Sequence, residues 1–225
     1  MILQAGGGLE IHCLPSGMLT VNCYVLIAPA GADDTPGRCW VVDPGDDAPL
    51  AFLAKKNLRP ERILITHGHA DHLIGVPSMK RTYPEALITA PVGDAGMLTD
   101  PRGNLSAMLI MAVVSPPADE TVKPGDELAL GPLTWRVLDV AGHSPGGAAF
   151  YCAQAGVVIV GDALFAGSIG RFDLPGGNEQ ALLKNIHRNL LSLPEETRVL
   201  PGHGAPTTIG QEKRENPYLE MFREE

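Results

Sequence analysis

The densest group of potential metal ligands in the sequence lies at residues 66–72, which read THGHADH. This segment places His67, His69, Asp71 and His72 within six positions. Imidazole and carboxylate are the ligands of borderline divalent metals. Four such groups would be costly to bury in a dry cleft unless a cation offset their desolvation. The segment therefore predicts, first, a metal site and, second, a hydrolytic one.

Three later segments repeat this context, in which a ligand-type residue follows an apolar run and has glycine beside it. They are AGHSPG at 141–146, VGD at 160–162 and PGHG at 201–204, with His143, Asp162 and His203 as the candidate ligands. Sheets of α/β proteins collect binding residues just beyond the ends of their strands. One histidine in such a place is more often a hydrogen-bonded structural residue. Five of the seven histidines share the context, however, so the set as a whole favours a metal site.

Three other polar residues receive structural interpretations. His12 and His187 lack the context of the other histidines, and we expect them to be an edge-strand residue and a helix-surface residue. Ser144 adjoins His143, but no G-x-S-x-G motif surrounds it, which favours a turn residue over a nucleophile.

The elements that must position these ligands alternate between strands and helices, which predicts an α/β fold in one domain spanning residues 1–225. Short apolar runs between turn residues predict strands at 9–14, 21–28, 38–43, 63–66, 86–89, 133–140, 148–152 and 157–160. Helical patterns cover 49–57, 72–81, 178–191 and 210–222, with Asn178 as an N-cap. Residues 105–114 permit two interpretations: a core helix or strand, or a segment whose methionines line one rim of the cleft.

Composition excludes several classes of protein. The 225 residues are 44% hydrophobic and 19% charged, as in a globular protein with one substantial core. The net charge of -9 and the absence of a Lys and Arg cluster argue against a nucleic-acid partner. No apolar run approaches the roughly 20 residues of a membrane span, and the N-terminus has no secretory features. The four cysteines form no C-x-x-C pair, so we expect buried reduced thiols and a cytoplasmic location.

The motifs T-H-x-H-x-D-H, G-H-S-P-G, G-D and P-G-H-G, in this order, resemble the metallo-β-lactamase superfamily over nearly the whole chain. The resemblance implies an αββα sandwich of two mixed β-sheets with helices on the outer faces. It also implies two divalent metal ions, with zinc as the first candidate and iron or manganese as alternatives. By resemblance, the first metal takes His67, His69 and His143, the second takes Asp71, His72 and His203, and Asp162 bridges both.

The chemistry implied by this resemblance needs no serine or cysteine nucleophile. Two cations about 3.5–4 Å apart hold a hydroxide at neutral pH and stabilise the oxyanion formed when a carbonyl is attacked. Asp71 is in addition a catalytic candidate, because its carboxylate can orient or deprotonate the attacking water. Asp43 is either a residue that supports the metal ligands or a turn residue that precedes Pro44.

Residues 161–173, GDALFAGSIGRFD, resemble glyoxalase II-like thioesterases and persulfide dioxygenases, which both act on glutathione-derived substrates. Arg171 stands at the basic position that binds glutathione in those enzymes, and its alternative role is a surface salt bridge. Phe172 and Asp173 replace an expected aromatic hydroxyl, and the chain ends too soon after His203 for a C-terminal helical domain. The segments SIGRFDLPGG and IGQEKRENP resemble those of short, single-domain bacterial glyoxalase II-like proteins.

These observations lead to three functional hypotheses. The first is a thioesterase that cleaves hydroxyacylglutathione-type thioesters through a metal-bound hydroxide, with a small-molecule thioester as its only expected partner. The second is a glutathione persulfide dioxygenase with a single iron held by His67, His143 and Asp162. The third is a lactone or ester hydrolase, because ester and thioester attack have the same requirements.

Overall fold

The predicted sandwich of two mixed β-sheets is present in the computed structural model, which describes residues 2–29, 38–108 and 111–223. Within these residues the first sheet has seven strands in the order β1-β2-β3-β4-β5-β6-β7. Its strands are β1 Ile2–Gln4, β2 Glu10–Ser16, β3 Val21–Ile27, β4 Cys39–Val42, β5 Pro60–Leu64, β6 Leu87–Pro91 and β7 Glu120–Val122. The first four strands pair antiparallel, and β4 to β7 pair parallel.

The parallel part of this sheet contains the helical crossovers that parallel pairing requires. Helix α1, Ala48–Lys56, joins β4 to β5, and helix α2, Val76–Thr82, joins β5 to β6. The sequence predicted the second helix from residue 72, but residues 70–72 form a separate 3-10 turn. Pro77 lies in the first turn of α2, where its fixed φ angle and missing N–H are tolerated, so the helix begins at Val76.

The second sheet has six strands among the described residues, in the order β15-β14-β11-β10-β9-β8. Its strands are β8 Glu127–Leu130, β9 Leu133–Asp139, β10 Ala148–Cys152, β11 Val157–Gly161, β14 Arg198–Pro201 and β15 Thr207–Thr208. A small hairpin of β12 Leu164–Phe165 and β13 Ser168–Ile169 follows β11. Helix α3, Glu179–Asn185, runs on into a π-helical turn and leads to β14, and α4 is Ile209–Glu215.

Alternation along the strands shows where the core lies. In β4, Trp40 and Val42 belong to the cluster between the two sheets, whereas Cys39 and Val41 belong to the cluster beneath α1 and α2. The strand β11 alternates in the same way between the central cluster and a third cluster beneath α3. Strands buried on both faces explain the continuous apolar runs in the sequence. The helices therefore cover the outer faces, as the predicted fold class requires.

Two expectations were wrong, one about His12 and one about the segment 105–114. His12 lies in β2, which pairs with β1 and β3 and is not an edge strand, and its buried ring packs against Phe52 with a centroid distance of 4.5 Å. The sequence prediction missed β1, which covers that edge. Residues 105–114 form no core helix or strand where the structure describes them, because Met111 and Val114 are exposed and only a short 3-10 turn occurs at Ser106–Met108. Residues 109–110 lie outside the described residues.

Other expectations agree with the structure. All four cysteines are buried and none forms a disulfide. The ring of His187 stacks on Phe222 at a partly exposed position in the π-helical turn after α3. Across the described ranges, no helix has the length and apolar character needed to cross a membrane.

Substitution of Asn178 tests the capping prediction. Its side chain accepts a hydrogen bond of 2.9 Å from the backbone N–H of Ala181 at the start of α3. We expect Asn178→Ala to lower the free energy of unfolding by about 1 kcal/mol, because that N–H loses its partner. Urea unfolding of the metal-free protein measures the change. Asn178→Ser retains a capping oxygen and is the control, so equal losses in both variants would contradict the assignment.

Candidate metal centre

The candidate ligands converge at one edge of the sandwich, where strand ends from both sheets meet. His67, His69, Asp71 and His72 follow β5 of the first sheet. His143, Asp162 and His203 follow β9, β11 and β14 of the second sheet. The site therefore exists only when the two sheets are packed together.

The first group consists of His67, His69 and His143, which are all buried. Each offers one ring nitrogen, and these atoms lie within 4.8 Å of one another. The Nδ1 atom of His69 is 2.9 Å from the Nε2 atom of His143. The rings are nearly perpendicular to one another, with centroid distances of 4.6–4.9 Å. Three imidazoles arranged in this way fit one side of a metal coordination sphere.

The second group consists of Asp71, His72 and His203. The Oδ2 atom of Asp71 lies 3.2 Å from His203 Nε2 and 3.6 Å from His72 Nε2. Asp162 faces both groups: its Oδ1 is 3.5 Å from His72 Nε2, and its Oδ2 is 3.7 Å from His143 Nε2 and 3.5 Å from His203 Nε2. The structure thus brings together all seven residues that the sequence nominated as ligands.

Buried polar atoms without hydrogen-bond partners indicate that the donor set fits a cation. At the site, within the described residues, they include the Nε2 atoms of His67 and His72 and the Oδ1 atom of Asp162. A buried polar group that lacks a partner costs about 1–3 kcal/mol, and charged groups cost more. Three such atoms in one place are therefore a marked local cost. A divalent metal is the group that nitrogen and carboxylate donors in this arrangement suit best.

The opposite ring nitrogens of three histidines are held by hydrogen bonds that aim the free nitrogen at the site. Nδ1 of His72 donates to Asp43 Oδ2 at 3.0 Å, and Nδ1 of His143 donates to the carbonyl of Arg171 at 2.7 Å. Nδ1 of His203 donates to the carbonyl of Leu19 at 3.0 Å. Such contacts fix both the tautomer and the ring orientation of a metal-binding histidine.

Asp43 is anchored to the ligand loop as well as to His72. Its Oδ1 accepts from the backbone N–H of Thr66 at 2.8 Å, and its Oδ2 accepts from the Thr66 hydroxyl at 2.6 Å. Asp43 also has a positive φ of 49°, which is uncommon for a residue other than glycine. Of the two interpretations open from the sequence, the geometry favours the residue that supports the ligands.

Burial and charge give the histidines different protonation states. Burial and the neighbouring histidines lower the pKa of His67 well below its usual value, and burial with His143 lowers the pKa of His69 to about 4. Both rings are therefore neutral, the form in which imidazole binds metals. Burial also opposes a charge on His72, but the nearby carboxylates, chiefly Asp71, outweigh it and raise the pKa of His72. The buried carboxylates beside His72 thus create a negative environment that favours a bound cation.

Two glycines let the loops approach closely enough to build the site. A Cβ atom on Gly202 would lie 2.1 Å from Asp162 Oδ1 and 2.8 Å from His72 Cε1. Gly161 has a φ of +51°, and a Cβ atom there would lie 2.5 Å from Thr66 Oγ1. Gly161 and Gly202, each of which precedes a ligand in the sequence, are thus required by the space available.

A cavity of about 340 Å³ opens over the ligands. Its wall includes Leu19, Asn104, Leu105, Arg171 and Leu174. The sequence nominated only Arg171 among these, because isolated leucines in loops carry no signal. From the segment after residue 103, Asn104 and Leu105 line the cavity. One interpretation of residues 105–114 placed methionines at the rim of the cleft. Among the side chains that the structure describes, no methionine lines the cavity, so the structure does not support that interpretation.

The sequence left two roles open for Arg171, a substrate contact and a surface salt bridge, and its position is compatible with both. Its side chain lines the cavity, and its Nε and Nη2 atoms donate to the two carboxylate oxygens of Asp173 at 2.9 and 3.0 Å. Both side chains are well exposed. Ser144 is buried, and its carbonyl accepts a hydrogen bond from Gly142 N–H at 2.9 Å, which makes it a turn residue as predicted.

Comparison with known families assigns the class of protein. The family model of the metallo-β-lactamase superfamily matches residues 16–203, and the chain belongs to this superfamily. The chain is 38% identical over 212 residues to the probable metallo-hydrolase YqgX of Bacillus subtilis, covering 93% of this chain and 97% of the relative. It is 29% identical over 216 residues to the hydroxyacylglutathione hydrolase GloC of Haemophilus influenzae, covering 94% and 98%.

Solved structures agree with this assignment. The BLEG-1 B3 metallo-β-lactamase matches with a TM-score of 0.85 and 36% identity, covering 93% of this chain and 99% of that one. TTHA1623 in a di-iron-bound form matches with a TM-score of 0.78 and 36% identity, covering 92% and 100%. Family membership and the converging ligand groups together make this chain a metal-dependent hydrolase.

Gly202→Ala tests the close packing at the site. We expect at least a tenfold loss of metal affinity, because the new methyl group must displace Asp162 or His72 and ligand positions tolerate only about 0.2 Å. Titration with Zn²⁺ against a chromophoric chelator measures the affinity. Gly96→Ala is the control, since a Cβ atom there meets nothing within 4 Å. Equal affinities in the two variants would show that the close packing is unimportant.

Proposed function

We propose that this hydrolase is a thioesterase that uses two divalent metal ions and acts on hydroxyacylglutathione-type thioesters. The observation that carries the proposal is the second ligand group, in which Asp71, His72 and His203 converge next to the first group while Asp162 faces both. The name of the related GloC protein supports the substrate class. Zinc is the first candidate metal from the donor set, and iron is the alternative, supported by the di-iron form of TTHA1623.

A pair of such ions, when bound, lowers the pKa of water to near neutrality and polarises a carbonyl oxygen. The chain supplies the remaining requirements. Asp71 has a lowered pKa, because His72 and His203 outweigh the effect of burial, so its carboxylate is ionised and can orient a water molecule by accepting a hydrogen bond from it. Its Oδ2 atom already faces His203 at 3.2 Å, which fixes the orientation of the carboxylate at the floor of the cavity.

The cavity wall offers separate surfaces for the two parts of a thioester. Leu19, Leu105 and Leu174 present apolar surface to an acyl group or a thiol carbon chain. Arg171 presents a guanidinium, which binds a carboxylate such as those of glutathione through paired hydrogen bonds. In the free protein, Asp173 already accepts hydrogen bonds from two nitrogens of that guanidinium. A substrate carboxylate must therefore share these donors or displace Asp173.

The dioxygenase alternative makes less use of the observed geometry. A single iron would need only His67, His143 and Asp162, and it would leave Asp71, His72 and His203 without a shared purpose. A lactone or ester hydrolase would use the same ligands as a thioesterase. Substrate turnover therefore has to decide between thioester and oxygen ester.

Metal analysis coupled to a substrate panel tests the proposal. We expect about two metal ions per chain and hydrolysis of lactoylglutathione in preference to a lactone, a β-lactam and glutathione persulfide with oxygen. His69→Ala is the control, because loss of one imidazole should remove metal and abolish turnover. One iron per chain with oxygen uptake on glutathione persulfide would contradict the proposal in favour of the dioxygenase.

Arg171→Ala tests the substrate contact. We expect KM for a glutathione thioester to rise roughly tenfold with kcat little changed, because the contact is made equally in the ground state and the transition state. A thioester of the same acyl group with an uncharged thiol should show no such change. Arg81→Ala, which alters an exposed cation outside the cavity wall, is the matched control. Equal KM values for the wild type and Arg171→Ala would assign Arg171 to the surface ion pair alone.

A further inference from the structure

Asp94 is a fully buried acidic residue whose two oxygens both accept backbone hydrogen bonds. Its Oδ2 accepts from Gly68 N–H at 2.9 Å, and its Oδ1 accepts from Gly146 N–H at 2.6 Å. Acceptance at both oxygens is the pattern of a carboxylate. Among the described residues, no side-chain cation forms an ion pair with it. The backbone N–H groups of Gly68 and Gly146 are thus the polar partners of the Asp94 carboxylate.

Both amides belong to loops that carry the first ligand group. Gly68 lies between His67 and His69 on the loop after β5, and Gly146 follows His143 on the loop after β9. These loops extend from different sheets. We propose that Asp94 is a positioning residue that ties the two loops together and so sets the separation of the three histidines. The inference rests on the proposed metal centre but not on the identity of the substrate.

The backbone is shaped to permit this contact. A Cβ atom on Gly93 would lie 2.7 Å from Gly146 Cα, and a Cβ atom on Gly68 would lie 2.6 Å from Met97 Cβ. Glycine at these positions lets the chain around Asp94 reach both loops directly. The N–H of Asp94 itself donates to the carbonyl of Pro91 at 3.0 Å, which fixes the turn after β6.

Asp94 complements a second tie between the same loops. At the strand ends, Ala148 N–H donates to the carbonyl of Thr66 at 2.9 Å. That bond secures the base of the two loops, whereas Asp94 holds the residues next to the ligands. Without Asp94, His69 and His143 would keep their loops but lose their fixed spacing. Metal–ligand distances stay within about 0.2 Å of their usual values, so a change in this spacing weakens coordination.

Asp94→Asn changes the side-chain volume little. It removes one acceptor, because the NH₂ of asparagine would face one of the two backbone N–H groups. Asp94→Ala removes both acceptors. Substitution of residues that support metal ligands costs about 10–100-fold in metal affinity, and we expect a loss in this range for both variants. Competition between each protein and a chromophoric chelator for Zn²⁺ gives the affinity, and the visible spectrum of the Co²⁺ form reports the ligand geometry.

Glu212→Gln is the matched control. Glu212 is also a buried acid that accepts a backbone hydrogen bond, from Gly167 at 2.9 Å, together with the Asn216 amide at 2.7 Å, but it contacts neither ligand loop. We expect Glu212→Gln to lower the melting temperature of the metal-free protein while Zn²⁺ affinity stays within about twofold of wild type. Asp94 variants that lose no more affinity than this control would overturn the inference.

A measurement on the wild type keeps the inference testable even if both Asp94 variants fail to fold. Hydrogen exchange of the metal-free protein should show protected amides at Gly68 and Gly146, because Asp94 holds both before metal binds. Exchange of either amide at the unprotected rate would overturn the inference. Failure of the wild type to bind Zn²⁺ would instead overturn the proposed function.

Discussion

The burial of ligand atoms without hydrogen-bond partners is the constraint on which the rest of this structure depends. Packing alone does not stabilise two unpartnered imidazole nitrogens, of His67 and His72, beside buried carboxylates, so the site requires a cation. The surrounding residues keep those atoms aimed at one place: Asp43 holds His72, and backbone carbonyls hold His143 and His203. Because the ligands come from both sheets, the packing of the sandwich and the formation of the site are one event.

The sequence predicted the elements and ligands whose signals are local. The strand at 148–152 was predicted with the observed bounds, because an apolar run between turn residues is sufficient to define a buried strand. The ligands were predicted from a dense group of histidine and aspartate after one apolar run and from glycine-flanked residues after three others. Asn178 was predicted as a cap from its place before an amphipathic segment, and its side chain accepts the expected bond.

What the sequence could not reveal depends on which loops meet in space. Leu19, Leu105 and Leu174 come from three separate loops, and nothing in their local sequence marks them as neighbours of the metal ligands. The role of Asp94 likewise depends on two glycine amides that are 26 and 52 residues away. The edge position expected for His12 failed for a similar reason: the short strand β1, which covers β2, has little periodic signal of its own.

The arrangement of the two tryptophans has a spectroscopic consequence. The chain contains only Trp40 and Trp135, one on each sheet, and their rings face each other across the core with centroids 6.1 Å apart. Both are shielded from water, so external quenchers should reach neither while the sheets stay in contact. Intrinsic emission from this pair should therefore report on the separation of the two layers, independently of events in the cavity.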